Sequence, residues 1–205
     1  MYKEILYPEQ QANIGLLKVF SRNFYLAGGT AIALQLGHRK SIDFDFFSAE
    51  PIQIKKIIQK LSDHHFSISR TLVKNEGEEF TVIIGGTKVT FLYYPFDIPL
   101  SKNHRFAGIQ LPSIEILGSM KMYTLGRRSK WKDYVDLYTI FQSGYSLTQL
   151  SEYAEKFFQG AYNEKLLREQ LCYFEDIDYS EEVEYIGDMV SHEAIEGYLI
   201  EVSQS

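Results

Sequence analysis

Polar and apolar positions alternate most sharply at residues 43–47, Asp-Phe-Asp-Phe-Phe, a period-two pattern that predicts a strand. Successive side chains on a strand point to opposite faces, so Phe44 and Phe46 are expected in the core while Asp43 and Asp45 share the other face. Just upstream, Phe24 to Ala27 reads as a short apolar strand, followed by a Gly28-Gly29-Thr30 turn, a helix of about two turns and a basic loop. Apolar positions at Ile14, Leu17 and Phe20 predict a helix over 8–20 that starts at Pro8. Ile54, Ile57, Ile58 and Leu61 predict another, opened by Pro51, with Lys55, Lys56 and Lys60 on its solvated side and His64 and His65 as a polar end. Three strand-like runs follow at 66–73, 80–84 and 88–94, with Gly85-Gly86 as a hairpin signal. Residues 97–112 read as a loop in which Lys102, His104 and Arg105 cluster. Beyond it the periodicity is helical: from Pro112-Ser113, from about Lys130, then over 146–158, 163–173 and 181 to about 200.

Two carboxylates side by side repel, and placing them there gains nothing unless a cation or a donor sits between them. A hard divalent cation such as Mg²⁺ suits the pair, because it takes one or two carboxylates and completes its shell with phosphate oxygens. Gly28 and Gly29 supply the other half: without a Cβ the backbone turns sharply, and the N–H groups of the following helix point at an anion. A triphosphate suits both halves. Either half alone is common; the order strand, Gly-Gly-Thr, helix, Asp-x-Asp, with thirteen residues between Gly29 and Asp43, is much rarer.

This pattern resembles the nucleotidyltransferase signature of the polymerase-β superfamily. The stretch GGTAIALQLGHRKSIDFDFF is similar to the first motif of the AbiEii/AbiGii toxin branch, which includes the MenT toxins. The resemblance implies an α+β fold: a polymerase-β-like antiparallel or mixed sheet with flanking helices, then a C-terminal helical bundle. It divides the chain into a nucleotidyltransferase core lobe, 1–110, and a helical lobe, 111–205, that completes the site. It also implies transfer of a nucleoside monophosphate from a nucleoside triphosphate (NTP), with pyrophosphate released. Asp43 and Asp45 would hold one or two Mg²⁺ ions, Gly28, Gly29 and Thr30 would take the phosphates, and Arg39 and Ser41 would contact them from the loop. Lys121, followed by Arg127, Arg128, Lys132, Asp133 and Asp136, resembles the later motifs of the branch, where a helix lysine and an acidic residue complete the site. Lys121 would neutralise charge on the triphosphate; Asp133 or Asp136 would act as base or orient the lysine, with the choice open. Many members of the superfamily carry a third carboxylate on the strand KVTFLYYP. The matching position here is Thr90, which leaves the base unassigned. The acceptor implied is tRNA, another RNA 3′ end or a protein side chain, and the setting a toxin–antitoxin or phage-defence pair with an antitoxin partner. The competing readings are a nucleotide-binding protein without turnover and a small-molecule nucleotidyltransferase of the antibiotic-modifying kind.

Composition bounds these readings. The 205 residues are 45% hydrophobic and 23% charged, those of an ordered globular protein with room for one large domain or two small lobes. No apolar run nears the roughly eighteen residues that cross a bilayer, and MYKEILYPEQ lacks a signal-peptide pattern, so a cytoplasmic protein with no membrane partner is expected. Cys172, the single cysteine, excludes an internal disulfide and is expected to be a core thiol. The net charge of -6 hides an asymmetry: residues 151–205 hold 14 acidic and 3 basic side chains, and residues 1–150 hold 13 acidic and 18 basic. The half with the candidate site is therefore the one suited to a polyanion. Acidic runs at 175–178 and 181–184 lack the glycine and spacing of a calcium loop and read as solvated surface.

Overall fold

Five phenylalanines set the centre of the fold. Phe91 stacks on Phe46 with ring centroids 5.0 Å apart, meets Phe20 edge-on at 4.7 Å and Phe24 at 5.4 Å, and lies 6.4 Å from Phe80. In the computed structural model, which covers residues 1–205, this cluster belongs to one core of 47 buried apolar side chains that runs through both halves of the chain.

In chain order the elements are α1 (Pro8–Ala12), α2 (Gly15–Phe20), β1 (Tyr25–Ala27), α3 (Gly28–Leu36), β2 (Asp43–Ser48), α4 (Ile54–Asp63), β3 (Ile68–Asn75), β4 (Glu79–Ile84) and β5 (Thr87–Tyr93). A two-stranded hairpin, β6 (Arg105–Phe106) and β7 (Ile109–Gln110), leads into α5 (Ile114–Leu125), α6 (Trp131–Gln142), α7 (Leu147–Phe158), α8 (Glu164–Leu171) and α9 (His192–Ser203). No helix is long and apolar enough to cross a membrane. The main sheet has the order β1-β2-β5-β4-β3, antiparallel throughout except for the β2/β5 pair, so the α+β arrangement with a mixed sheet and C-terminal helices is present as expected. The parallel pair sets Asp43 beside Lys88, Asp45 beside Thr90 and Phe47 beside Leu92. One face of these strands carries the fully buried Phe44, Phe46, Val89 and Phe91; the other carries Asp43 and Asp45, as period-two alternation requires. Helix α3 packs on β1 and β2 and also against α5 and α6, which brings the C-terminal helices over the carboxylates.

Several elements depart from the sequence expectation for identifiable reasons. The helix expected over 8–20 is two short ones, because Asn13 turns its side chain out of the helical path. Its Nδ2 donates to the carbonyl of Ile84 at 2.8 Å and to Thr87 Oγ1 at 3.0 Å, latching the helices onto the β4–β5 hairpin. Pro51 does not open α4; the Ile52 N–H donates to the Gly77 carbonyl at 3.1 Å, and the helix begins at Ile54. Within the loop expected over 97–112, Ala107 and Gly108 (φ +46° and +93°) close the β6–β7 hairpin. The helix expected from 181 is confined to α9, capped by Ser191. The preceding residues form a strap whose backbone bonds go to other segments: Lys40 N–H to the Glu184 carbonyl, Ile186 N–H to His38 and Asp178 N–H to Ser129. Cys172 is exposed at the end of α8, so it is not a core thiol.

The aromatic centre gives a stability prediction. Phe46→Ala removes a ring with no solvent exposure from the middle of the cluster and should cost about 3–5 kcal/mol in urea denaturation. A loss below about 1 kcal/mol would mean that the core is organised elsewhere.

Candidate active site

The Asp43/Asp45 face of the sheet forms the floor of a cavity of ≈ 510 Å³, walled by the N-terminus of α3, by α5 and by residues 128–132. The in-register strands divide it. Asp43, Lys88 and Lys132 stand at a charged end, Asp45 and Thr90 in the middle, and Phe47, Leu92 and Tyr94 at an apolar end.

The two glycines are required by the protein's own side chains. Gly28 has φ +70°, and a Cβ there would lie 2.4 Å from Asp45 Oδ2. A Cβ on Gly29 would lie 2.4 Å from Arg39 Nη2. They are the first two residues of α3, not a free turn, and they let the helix start directly above the second carboxylate. Thr30, expected to face phosphate, is fully buried, and its hydroxyl is engaged by the Asp43 carbonyl and by Ser41 Oγ at 2.7 Å. It ties α3 to β2 and does not line the cavity; Ser41 does.

Asp43 has a cation on one oxygen only. Lys88 Nζ lies 3.2 Å and Lys132 Nζ 4.0 Å from Oδ2, while Oδ1 is buried with no hydrogen-bond partner. Burial of Asp45, then the charge of Asp43, push the Asp45 carboxyl up to about 6. A desolvated carboxyl pair with an orphaned oxygen fits a divalent cation. No third acidic or imidazole ligand joins them, so further ligands would come from substrate oxygens or water, the usual arrangement for Mg²⁺. Lys88 was missed in the sequence; its signal was the alternation 88, 90, 92, interpretable only once β5 pairs parallel to β2.

Beneath the cavity wall lies a buried ion cluster. Lys121 Nζ contacts Asp133 at 2.6 Å and Asp136 at 3.0 Å, and Arg39 grips Asp136 through Nε and Nη2 at 2.7 and 2.9 Å. His38 Nε2 lies 2.8 Å from Asp136, and Arg128 Nε donates to Asp133 at 2.8 Å. Burial alone would raise both carboxyls, but the cations outweigh it: Asp133 is held below the usual range, and Asp136, between Arg39 and Lys121, well below it. Neither aspartate lines the cavity, and both have their oxygens occupied by cations. Of the two roles expected for them, base or orientation of the lysine, their contacts are those of the second: both grip Lys121, and Asp136 also grips Arg39. Arg39, expected at the phosphates, is almost wholly buried and clamps Asp136 and the Lys40 carbonyl, and it also lines the cavity. Lys121 reaches the cavity as well.

The acidic strap is also not the free surface expected of it. Glu181 bridges Lys130 and Lys132 at the cavity rim, and these lysines, against the effect of burial, hold its carboxyl down to about 2. Arg127 turns away from the site, lying 3.6 Å over the Tyr123 ring and donating to the Ala161 carbonyl.

Comparisons with known proteins bear on family and fold. A family model described as nucleotidyl transferase AbiEii toxin, type IV toxin–antitoxin system, matches residues 16–100, which contain the glycines and both cavity aspartates. Uncharacterized protein aq_aa25 of Aquifex aeolicus (strain VF5) is 30% identical over 163 residues, 75% of either chain. MenT4, a nucleotidyltransferase toxin from Mycobacterium tuberculosis H37Rv, superposes with a TM-score of 0.66 at 16% identity, over 95% of this chain and 81% of that one. JHP933 from Helicobacter pylori superposes with a TM-score of 0.58 at 14% identity, over 96% and 89%. At these identities the two structures share the fold.

Two outcomes follow from the charges. A carboxyl raised to about 6 binds its proton more tightly in the folded than in the unfolded chain. Its contribution to stability is therefore full below about pH 4 and is lost as pH rises through 6. Asp45→Asn should raise the melting temperature at pH 7.5 in chelator; a lower melting temperature would refute the repulsion. Asp136 works in the opposite sense, stabilising above the ordinary carboxyl range and losing this as pH falls below it. Asp136→Ala leaves Arg39 and Lys121 short of a buried counter-charge and should cost about 3–5 kcal/mol in denaturant titration.

Proposed function

Because this chain belongs to the AbiEii family of nucleotidyl transferase toxins, we propose that its cavity transfers a nucleoside monophosphate from an NTP to an acceptor hydroxyl with Mg²⁺ bound to Asp43 and Asp45. The observation that carries this reading is the carboxylate pair, one oxygen orphaned, set in a cavity ringed by Lys88, Lys121 and Lys132. A carboxylate pair among cations suits a ligand that brings its own negative charge together with a divalent cation.

The bound cation supplies positive charge at the phosphate oxygens. Lys121, held in one orientation by Asp133 and Asp136, presents fixed positive charge to the triphosphate without reorganisation. Lys88 does the same from β5, and the N–H groups at the start of α3 face the same anion. Phe47, Leu92 and Tyr94 offer apolar surface to the nucleobase. The acceptor oxygen bonds to the α-phosphorus, the bond from that phosphorus to the bridging oxygen breaks, and pyrophosphate departs. The acceptor in this reading is a tRNA or another RNA 3′ end, with a protein hydroxyl as the other class, and the cell's partner is an antitoxin in the cytoplasm. RNA would approach the basic rim at Lys130 and Lys132, where it competes with Glu181.

Incubation with Mg²⁺, each α-labelled NTP in turn and total tRNA should label RNA with the unaltered protein and not with Asp43→Ala/Asp45→Ala. Label on protein instead would redirect the acceptor. Absence of label on either, with nucleotide binding intact, would overturn the transfer reading.

A further inference from the structure

Thr90 stands where the superfamily resemblance calls for a third carboxylate, and its neighbours supply one from the next strand. Asp45, Thr90 and Thr81 lie in a single in-register row across β2, β5 and β4. Thr81 Oγ1 is 2.8 Å from Glu79 Oε1 and 3.3 Å from Thr90 Oγ1. An ionised carboxylate only accepts, so the single Thr81 proton goes to Glu79. The contact between the two threonines is then closed by the Thr90 proton, which leaves the Thr90 oxygen as an acceptor beside Asp45. The chain of hydroxyls thus has a direction, and it ends on Glu79.

Elimination points to the same residue. Four carboxylates line the cavity: Asp43, Asp45, Glu79 and Glu181. Lys88 pairs with Asp43, Lys130 and Lys132 with Glu181, and Asp45 shares the metal-binding face with Asp43. Glu79 has no cation partner; its contact is the nearly buried Thr81 hydroxyl, which fixes one oxygen and leaves the other free. Asp133 and Asp136 lie outside the cavity, in the ion cluster.

We propose that Glu79 is the proton acceptor of the transfer reaction, reached through Thr90 and Thr81; this rests on the nucleotidyltransferase reading. As the acceptor oxygen bonds to the α-phosphorus, its proton passes to Thr90 Oγ1, the Thr90 proton to Thr81 Oγ1, and the Thr81 proton to Glu79. The electron pair of the broken phosphorus–oxygen bond leaves on pyrophosphate, and Glu79 returns its proton to water between turnovers.

The test is kinetic, with α-labelled NTP, total tRNA and Mg²⁺ as probes. Glu79→Gln keeps the size of the side chain and its acceptor oxygen for Thr81 but holds no proton; kcat should fall about 100-fold or more, the range of a lost general base. KM for NTP and the Mg²⁺-dependent binding of NTP should stay within about twofold, because the ground-state contacts are untouched. Thr90→Val interrupts the relay and should cost a similar factor, and the Glu79→Gln/Thr90→Val pair should be no slower than the slower single variant. Thr90→Asp in the Glu79→Gln background puts a carboxylate beside Asp45 and should recover most of the lost rate, a rescue that a structural role for Glu79 would not give. Melting temperatures of the variants separate lost chemistry from lost fold. Unchanged kcat in Glu79→Gln, a KM increase in place of a kcat loss, or losses that multiply in the double variant would each overturn the assignment while leaving the transfer reading intact. Failure of the unaltered protein to label any acceptor would instead strike both.

Discussion

The site is organised by one buried carboxylate. Asp136 accepts from Arg39 through two guanidinium nitrogens, contacts Lys121 and meets His38, partners up to 98 residues away in the chain. Arg39 comes from the loop before β2, Lys121 from α5 and Asp136 from α6, so the cluster fixes the first half of the chain against the second at the edge of the cavity. A buried ion pair of this kind contributes little net stability, because desolvation offsets the attraction, but breaking it is costly, so misaligned dockings are penalised. Gly29 is part of the same constraint: any side chain there would take the place of the guanidinium.

Whatever depended on a local period was legible in the sequence, and whatever depended on which elements meet was not. The strand at 43–48 and the faces of Phe44 and Asp43 follow from alternation alone, and they held. The i, i+3 relation of Asp133 and Asp136 placed them on one face of a helix, but it could not say that this face turns to Arg39 and Lys121 and away from the cavity. Thr30 shows the same limit: a hydroxyl after two glycines suits a phosphate, and only the neighbouring strand shows that it is used internally. The strap reads as helix because Glu181 to Glu184 has ordinary helical composition, while its backbone partners are residues 38–40, far away in sequence. Lys88 and Glu79 needed the parallel β2/β5 pairing, which no local pattern encodes.

The charge asymmetry of the chain takes a specific form in three dimensions. The acidic half is not merely adjacent to the basic half; Glu181 closes on the lysines beside Asp43, and the Glu184 backbone and side chain engage Lys40. With its carboxyl held to about 2, Glu181 stays charged through the neutral range, so protonation does not release it. The contacts are partly solvated, where a single ion pair is weak, so a phosphate backbone offering several charges can displace one carboxylate.

Compensated and uncompensated charge are thus separated by a few ångströms. Below the wall, Asp133 and Asp136 have every oxygen matched to a cation, which fixes position and leaves nothing for a ligand. On the cavity floor, Asp43 keeps an unpaired buried oxygen and Asp45 is raised by its neighbour, an arrangement the fold maintains at a cost to itself. A lysine in place of Thr90, the register partner of Asp45, would bring a cation beside it. The deficit lies at the two positions where a divalent cation and its phosphates would cancel it, a few residues from a cluster in which every charge is already matched.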